Sequence, residues 1–286
     1  MISLEEARQI VLGACRPLGM EKVDILAACG RVIGEDVYSP RDIPARANSA
    51  KDGYALRAAD VQGARASKPV ELKVTETIAA GRLPRVRIGK GQAARIMTGA
   101  VIPEGADAVV CREDTQEKGQ TVLVKITVPA GLEIREAGED VRKGELVVKA
   151  GSVLRPGLIG LMASLGKSFV YVHQRPRVAI LSTGDELVEI DREPPAGKIV
   201  NSNSYSLAAL VGACGGIPVM LGIGRDRKAE LARLFRQARQ ADIILSSGGV
   251  SVGDFDFVKD VMRDIGTRCT SGRWLCDRES RWPSAL

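Results

Sequence analysis

The stretch Val178-Ala179-Ile180-Leu181-Ser182-Thr183 runs straight into Gly184-Asp185-Glu186. An uncharged, apolar run of this length matches a strand covered on both faces, the kind found inside parallel sheets. Downstream, NSNSYSLAALVGACGG (201–216) reads as a helix with polar caps and a glycine stop. IPVMLGIG (217–224) reads as a second strand, and RKAELARLFRQARQ (227–240) as an amphipathic helix. ADIILSSGGVSVGDFDFVKDVMRDIG (241–266) supplies a third strand, a glycine-rich loop and a third helix. Alternation of this kind predicts a doubly wound α/β domain with right-handed crossovers.

Upstream the character changes. Residues 3–15 place apolar side chains at helical spacing, and Ser3 with Glu6 forms a capping box. Residues 22–38 read as a second helical segment with a short extended piece. Pro44 and small polar residues mark a loop, with a tight turn at Asp52-Gly53. Between 65 and 130, short β-favouring runs (VELKVTETI, RVRI, AARIMTGA, ADAVVCRED, TVLVKITV) are broken by Gly and Pro. Residues 158–166 read as a helix ended by Gly166. The expected architecture is multi-domain, α/β plus β. A discontinuous helical linker module (1–46 and 138–173) is interrupted by a β-rich module (47–137) and followed by an incomplete doubly wound α/β domain (174–267).

Composition excludes several chemistries. His173 is the single histidine, which argues against a Ser-His-Asp triad or a multi-histidine metal site. No C-x-x-C pair occurs, and Cys15, Cys29, Cys111 and Cys214 read as buried thiols. The net charge of +6 is spread along the chain without interleaved aromatics, so nucleic acid is not the expected partner. No apolar run is long enough for a bilayer, and the acidic, amphipathic start does not resemble a signal peptide. A cytoplasmic protein without a membrane partner is expected.

In open α/β sheets, ligands sit beyond the carboxyl ends of the strands. Those ends carry Ser182 to Glu186, Gly224-Arg225-Asp226, and the loop from Ser246 to Asp256. Glycines let backbone amides approach a ligand, serines add hydroxyl donors, and the following helix start favours anions. The loop is not a Walker A motif, and a Ser/Gly-rich turn on its own is often only a turn. Convergence of Glu186, Asp226 and Asp256 on one rim would be repulsive unless a cation or proton transfer offset it. Each acid alone reads equally as a helix cap or a solvated loop residue.

Asn48-Ser49-Ala50-Lys51-Asp52-Gly53-Tyr54-Ala55 resembles the N-S-A-M-D-G-Y-A signature of molybdopterin molybdenumtransferases, the bacterial MoeA proteins and the gephyrin E domain. Lys51 stands where Met is commoner. Arg95 to Ala100, Pro103 to Val110, Gly138-Glu139-Asp140, Ser182 to Leu187 and the Ser246 to Asp256 loop resemble the family too, in family order. The resemblance covers about residues 1–267. It implies a molybdopterin-binding α/β domain and an elongated homodimer, with the site between this domain and the partner's β-rich module. It implies insertion of molybdenum from molybdate into adenylylated molybdopterin, with Mg²⁺ and release of AMP. A molybdopterin adenylyltransferase is an implied possible partner. Carried over residue by residue, Asp52, Glu186, Asp226 and Asp256 are the implied catalytic residues. Asp226 and Asp256 would hold Mg²⁺. Thr98, Arg135, Asp140, Thr183, Ser247, Gly248, Gly249 and Ser251 would bind substrate.

The resemblance stops near Gly266. Read back through the genetic code and displaced by one base at the Arg268 codon, the tail permits V-H-F-W-K-V-A-M-R-P-G-K-P-L-A-F-G, which resembles the family's continuation. Residues from about 268 onward are therefore expected to be an out-of-frame translation, and a chain ending this way is expected to insert little molybdenum. Two alternatives remain: a non-catalytic molybdopterin-binding fragment, and a molybdopterin adenylyltransferase. The Asp52 motif and β-rich module argue against the second.

Overall fold

The computed structural model describes residues 3–191 and 193–248, together with positions 258, 261 and 264. In chain order the elements begin with α1 (Leu4–Ala14), β1 (Met20–Asp24), β2 (Val37–Tyr38), β3 (Asn48–Ser49), β4 (Gly53–Leu56), β5 (Val70–Ile78) and β6 (Gln92–Ile96). Next come β7 (Ala108–Cys111), β8 (Thr115–Lys118), β9 (Thr121–Val124), β10 (Ile134–Arg135), β11 (Leu146–Val148), α2 (Pro156–Ser164) and β12 (Phe169–His173). The series ends with β13 (Arg177–Thr183), β14 (Leu187–Val188), β15 (Ile199–Val200), α3 (Asn203–Ala213), β16 (Ile217–Gly224), α4 (Lys228–Ala238) and β17 (Ile243–Ser247). The chain forms two compact units, one of residues 1–34, 153–155 and 169–286, the other of 35–152 and 156–168.

In the first unit, β16, β13 and β17 form a parallel sheet in that order. Central β13 is buried from Val178 to Thr183, as its uncharged sequence requires. On α4, Leu231, Phe235 and Ala238 recur at helical spacing and pack with Ala179, Leu181, Val258 and Val261. The capping box at α1 is formed: Ser3 Oγ accepts the Glu6 N–H at 3.2 Å, and the Glu6 carboxylate accepts the Ser3 N–H at 2.7 Å.

The second unit is built on a six-stranded sheet in the order β7-β4-β6-β5-β9-β8. Side-chain alternation sends Tyr54 and Leu56 to one apolar cluster and Ala55 to another on the opposite face. Strand β4 is consequently buried at all four positions. Small residues suit such a strand: Gly53 lies so close to β7 that a Cβ there would sit 2.0 Å from the Val110 carbonyl oxygen.

Several expectations need correction. Residues 22–38 contain no helix: the chain enters β1, pairs antiparallel with β12, and then turns, with Asp24 Oδ1 accepting the Leu26 N–H at 2.8 Å. Cross-strand pairing overrides the local helical pattern here. Gly53 opens a strand and is not part of a tight turn. RVRI (85–88) is not a strand, because the Glu76 carboxylate takes the N–H groups of Arg85 and Val86 at 3.0 and 2.9 Å. Cys15, Cys29 and Cys214 are exposed and Cys111 is half-buried. Cys15 and Cys214 sit at the ends of α1 and α3, and Cys29 in a turn, where little packs over them. The expected third helix falls largely outside the described residues, as do Gly249, Ser251, Asp256 and the 268–286 tail.

Candidate functional site

The parallel register sets Thr183 beside Gly224 and Ser182 beside Ser247. Three strand ends thus share one rim, carrying Asp185 and Glu186, Arg225 and Asp226, and Ser247 and Gly248. A buried hydroxyl–amide network holds it from beneath. Ser182 Oγ donates to Asn201 Oδ1 at 3.0 Å and lies 2.7 Å from Ser204 Oγ, and Asn201 Nδ2 donates to Ser204 Oγ at 3.1 Å. The polar residues read as helix caps are therefore core braces. Satisfied networks of this kind fix geometry more than they add stability.

At the rim, Asp185 and Asp226 support each other's backbone. Asp226 Oδ2 accepts the Asp185 N–H at 3.3 Å, and Asp185 Oδ1 accepts the Asp226 N–H at 3.4 Å. Two cations converge on the Asp185 carbonyl: Lys198 Nζ at 2.7 Å and Arg225 Nη1 at 3.0 Å. Asp185 and Arg225 belong to the strand-end clusters of the sequence but carry no implied role there, and Lys198 lies outside those clusters. The Glu186 carboxylate folds over Gly184 and is exposed. Ser247 Oγ accepts from Asn203 Nδ2 at 3.1 Å. Gly248 has φ +96°, and a Cβ there would meet the Thr183 carbonyl oxygen at 2.7 Å.

Thr183 Oγ1 and Ser246 Oγ are buried at this rim, and neither has a partner among the described residues. A buried hydroxyl without a partner costs about 1–3 kcal/mol, so such atoms point to a place where something else binds. Hydroxyls, fixed cations and carboxylates together suit an anionic ligand with an accompanying hard cation.

In the second unit, Asp52 is exposed beside β4, and its Oδ1 accepts both the N–H and the Oγ1–H of Thr98 at 2.7 Å. These bonds stabilise the carboxylate and hold the Asp52 pKa below its ordinary value; nearby Arg112 adds a smaller effect. Arg135 reaches the neighbouring strand by pairing with Asn48. Asp140 lies in a turn where its N–H donates to the Ile43 carbonyl at 2.9 Å. Among the described residues, no bond ties Arg135 or Asp140 to the Asp52 carboxylate. The structure thus joins Asp52 with Thr98 directly and places Arg135 and Asp140 on separate supports. Behind Asp52, the buried Tyr54 hydroxyl donates to Glu117 at 3.0 Å, and Arg95 pairs with the same carboxylate at 3.4 Å.

A pH dependence follows. A depressed carboxylate pKa contributes stability that is present above the unfolded value and is lost as pH falls through the folded value. Thr98→Val removes the hydroxyl donor and leaves the backbone donor. The Asp52 midpoint, followed by carboxylate NMR, is expected to move up toward the ordinary range. An unchanged midpoint would mean that the hydroxyl bond does not hold the charge.

His173 is not part of either cluster. Its Nδ1 lies 3.0 Å from the Leu18 carbonyl, so that nitrogen donates a structural bond. No helix among the described residues is long and apolar enough to cross a membrane.

Residues 2–166 match the family model for the MoeA N-terminal region, domains I and II, and residues 179–279 match a probable molybdopterin binding domain. A molybdopterin molybdenumtransferase from Nostoc is 42% identical over 249 residues, covering 87% of this chain and 57% of that protein. Molybdopterin molybdenumtransferase 2 of Mycobacterium tuberculosis H37Rv is 40% identical, covering 91% and 64%. The chain therefore spans about three-fifths of the length of these relatives. Among solved structures, a Pyrococcus horikoshii MoeA protein superposes with a TM-score of 0.80 at 35% identity, covering 93% of this chain and 67% of that one.

Proposed function

The chain belongs to the MoeA family, and from that premise we propose that it acts in building the molybdenum cofactor, inserting molybdenum from molybdate into adenylylated molybdopterin and releasing AMP. The observation that carries this reading is the rim at the strand ends, with its orphaned Thr183 hydroxyl beside Gly248. Thr183, Ser247, Gly248, Gly249 and Ser251 would hold the pterin and its phosphate. Thr98, Arg135 and Asp140 would line the wall around Asp52. We place Glu186, Asp226, Asp256 and Asp52 at the reacting phosphoanhydride, the last from the second copy in a homodimer.

The donor set fits Mg²⁺. Glu186 and Asp226 offer hard carboxylate oxygens, and Mg²⁺ is commonly held by one or two carboxylates plus substrate phosphates. The described residues contain no group of three such ligands, so substrate oxygens and Asp256 would complete the set. When bound, Mg²⁺ would neutralise phosphate charge. Lys198 and Arg225, held at the Asp185 carbonyl, add positive charge near the same anion. A cytoplasmic site of action and an adenylyltransferase that hands over the substrate belong to the same proposal.

The test supplies the purified chain with adenylylated molybdopterin, molybdate and Mg²⁺ and measures cofactor and AMP. Formation of both supports the reading. Binding of the pterin without AMP release would reduce the role to that of a binding protein. With molybdopterin and ATP supplied instead, transfer of AMP to the pterin phosphate with release of pyrophosphate would favour adenylylation.

A further inference from the structure

At the amino ends of the same parallel strands, on the rim away from the site above, the first unit carries a cavity of about 790 Å³. Three arginines line it: Arg31, Arg175 and Arg177. Arg31 is only 9% exposed. Its Nη2 donates to the His173 carbonyl at 2.7 Å and to the Glu21 carboxylate, which fixes the guanidinium in place. Arg175 and Arg177 alternate along an extended segment, so their side chains fall on one side. Neither of these two guanidiniums has an acidic partner among the described residues.

The acids facing the cavity are already engaged. Glu21 is paired with Arg31, and Asp242 Oδ2 accepts the Arg177 backbone N–H at 2.7 Å. Gln174 and Gln240 add amide groups to the lining, and Leu18, Ala27 and Ile217 form an apolar wall. Like charges held together on a partly enclosed surface repel unless an anion joins them. Guanidinium forks match the oxygens of a phosphate in pairs. The volume lies in the range of small-molecule pockets.

We propose that this cavity is a second anion site that binds a phosphate group, separate from the reaction site and independent of the reaction assigned above. Its ligand is either free phosphate or a small phosphomonoester whose organic part rests on the Leu18 and Ile217 wall.

The test titrates the full chain with inorganic phosphate and, in parallel, with phenyl phosphate, by calorimetry at low ionic strength. The variants are Arg175→Ser with Arg177→Ser, the same pair changed to Lys, and Thr183→Val as a marker of the other rim. The double Ser variant is expected to weaken phosphate binding about tenfold or more, and the Lys pair by less, because charge remains without the fork. Thr183→Val, which alters only the other rim, is expected to leave the arginine-dependent part of the phosphate binding in place. Tighter binding of phenyl phosphate assigns the site to an organic phosphate, and equal binding assigns it to the free anion; both sustain the proposal. Both altered residues are exposed, and the Lys pair provides a readable variant if the Ser pair does not fold. Undiminished binding in the arginine variants, loss only in Thr183→Val, or no binding by the unaltered chain overturns it.

Discussion

Gly53→Ala is expected to destabilise the six-stranded sheet by about 3 kcal/mol, at the upper end of the range for overpacking. The new Cβ would sit 2.0 Å from the Val110 carbonyl oxygen and 2.9 Å from its carbon. Both are backbone atoms of a paired strand, so no side-chain rotation relieves the contact. The sheet would have to part between β4 and β7, where Gly53 faces Cys111. Gly119→Ala provides the comparison: Gly119 has φ +59°, but nothing lies within 4 Å of where its Cβ would sit. That change is expected to cost about 1 kcal/mol, from backbone strain alone. Urea unfolding of the two variants, followed by circular dichroism, checks the difference. Equal midpoints would show that the close approach of β4 and β7 is not what requires glycine in the Asp52-Gly53 motif.

Asp52→Asn is expected to lower turnover of adenylylated molybdopterin by about a hundredfold or more while leaving the fold intact. The amide keeps an acceptor for the two Thr98 donors now held at 2.7 Å. It removes the charge that those donors stabilise. A carboxylate acting on a reacting group contributes about 10²–10⁴ in rate. The measurement is kcat and KM for AMP release, with the proposed loss falling on kcat. A change of less than about threefold in kcat would remove Asp52 from the chemistry and leave it a structural role at the Thr98 turn.

Much of the first unit was legible because its signals are local. The Val178 to Thr183 run, IPVMLGIG and the apolar stripe of α4 each carry their own period. The helix expected in 22–38 failed because β1 exists only through its pairing with β12, whose residues lie far along the chain. Two-residue strands such as β3 and β10 have no period to read, and they form only where Asn48 meets Arg135. The candidate site divides in the same way. Asp226 and Glu186 follow strands and were placed by topology. The bracing of Asp185 by Asp226 joins residues 41 apart, and no local pattern announces it. Ser182, Asn201 and Ser204 were visible as polar residues, but their burial together depends on α3 packing beside β13. The arginine cavity was equally hidden: its cations come from two distant stretches, Arg31 and the segment of Arg175 and Arg177, which the β1–β12 pairing brings together.

On the proposed reading, the carboxyl-end rim of the parallel sheet holds the pterin substrate. The measurement is equilibrium binding of molybdopterin to the purified chain and to Thr183→Val. The hydroxyl now lacks a partner among the described residues, so its removal reports on the ligand and not on an internal bond. Binding by the unaltered chain, about tenfold weaker in Thr183→Val, is the predicted result, since one hydrogen bond to a charged group contributes about 1.5–3 kcal/mol. Equal binding by the two proteins, or none by either, would contradict it.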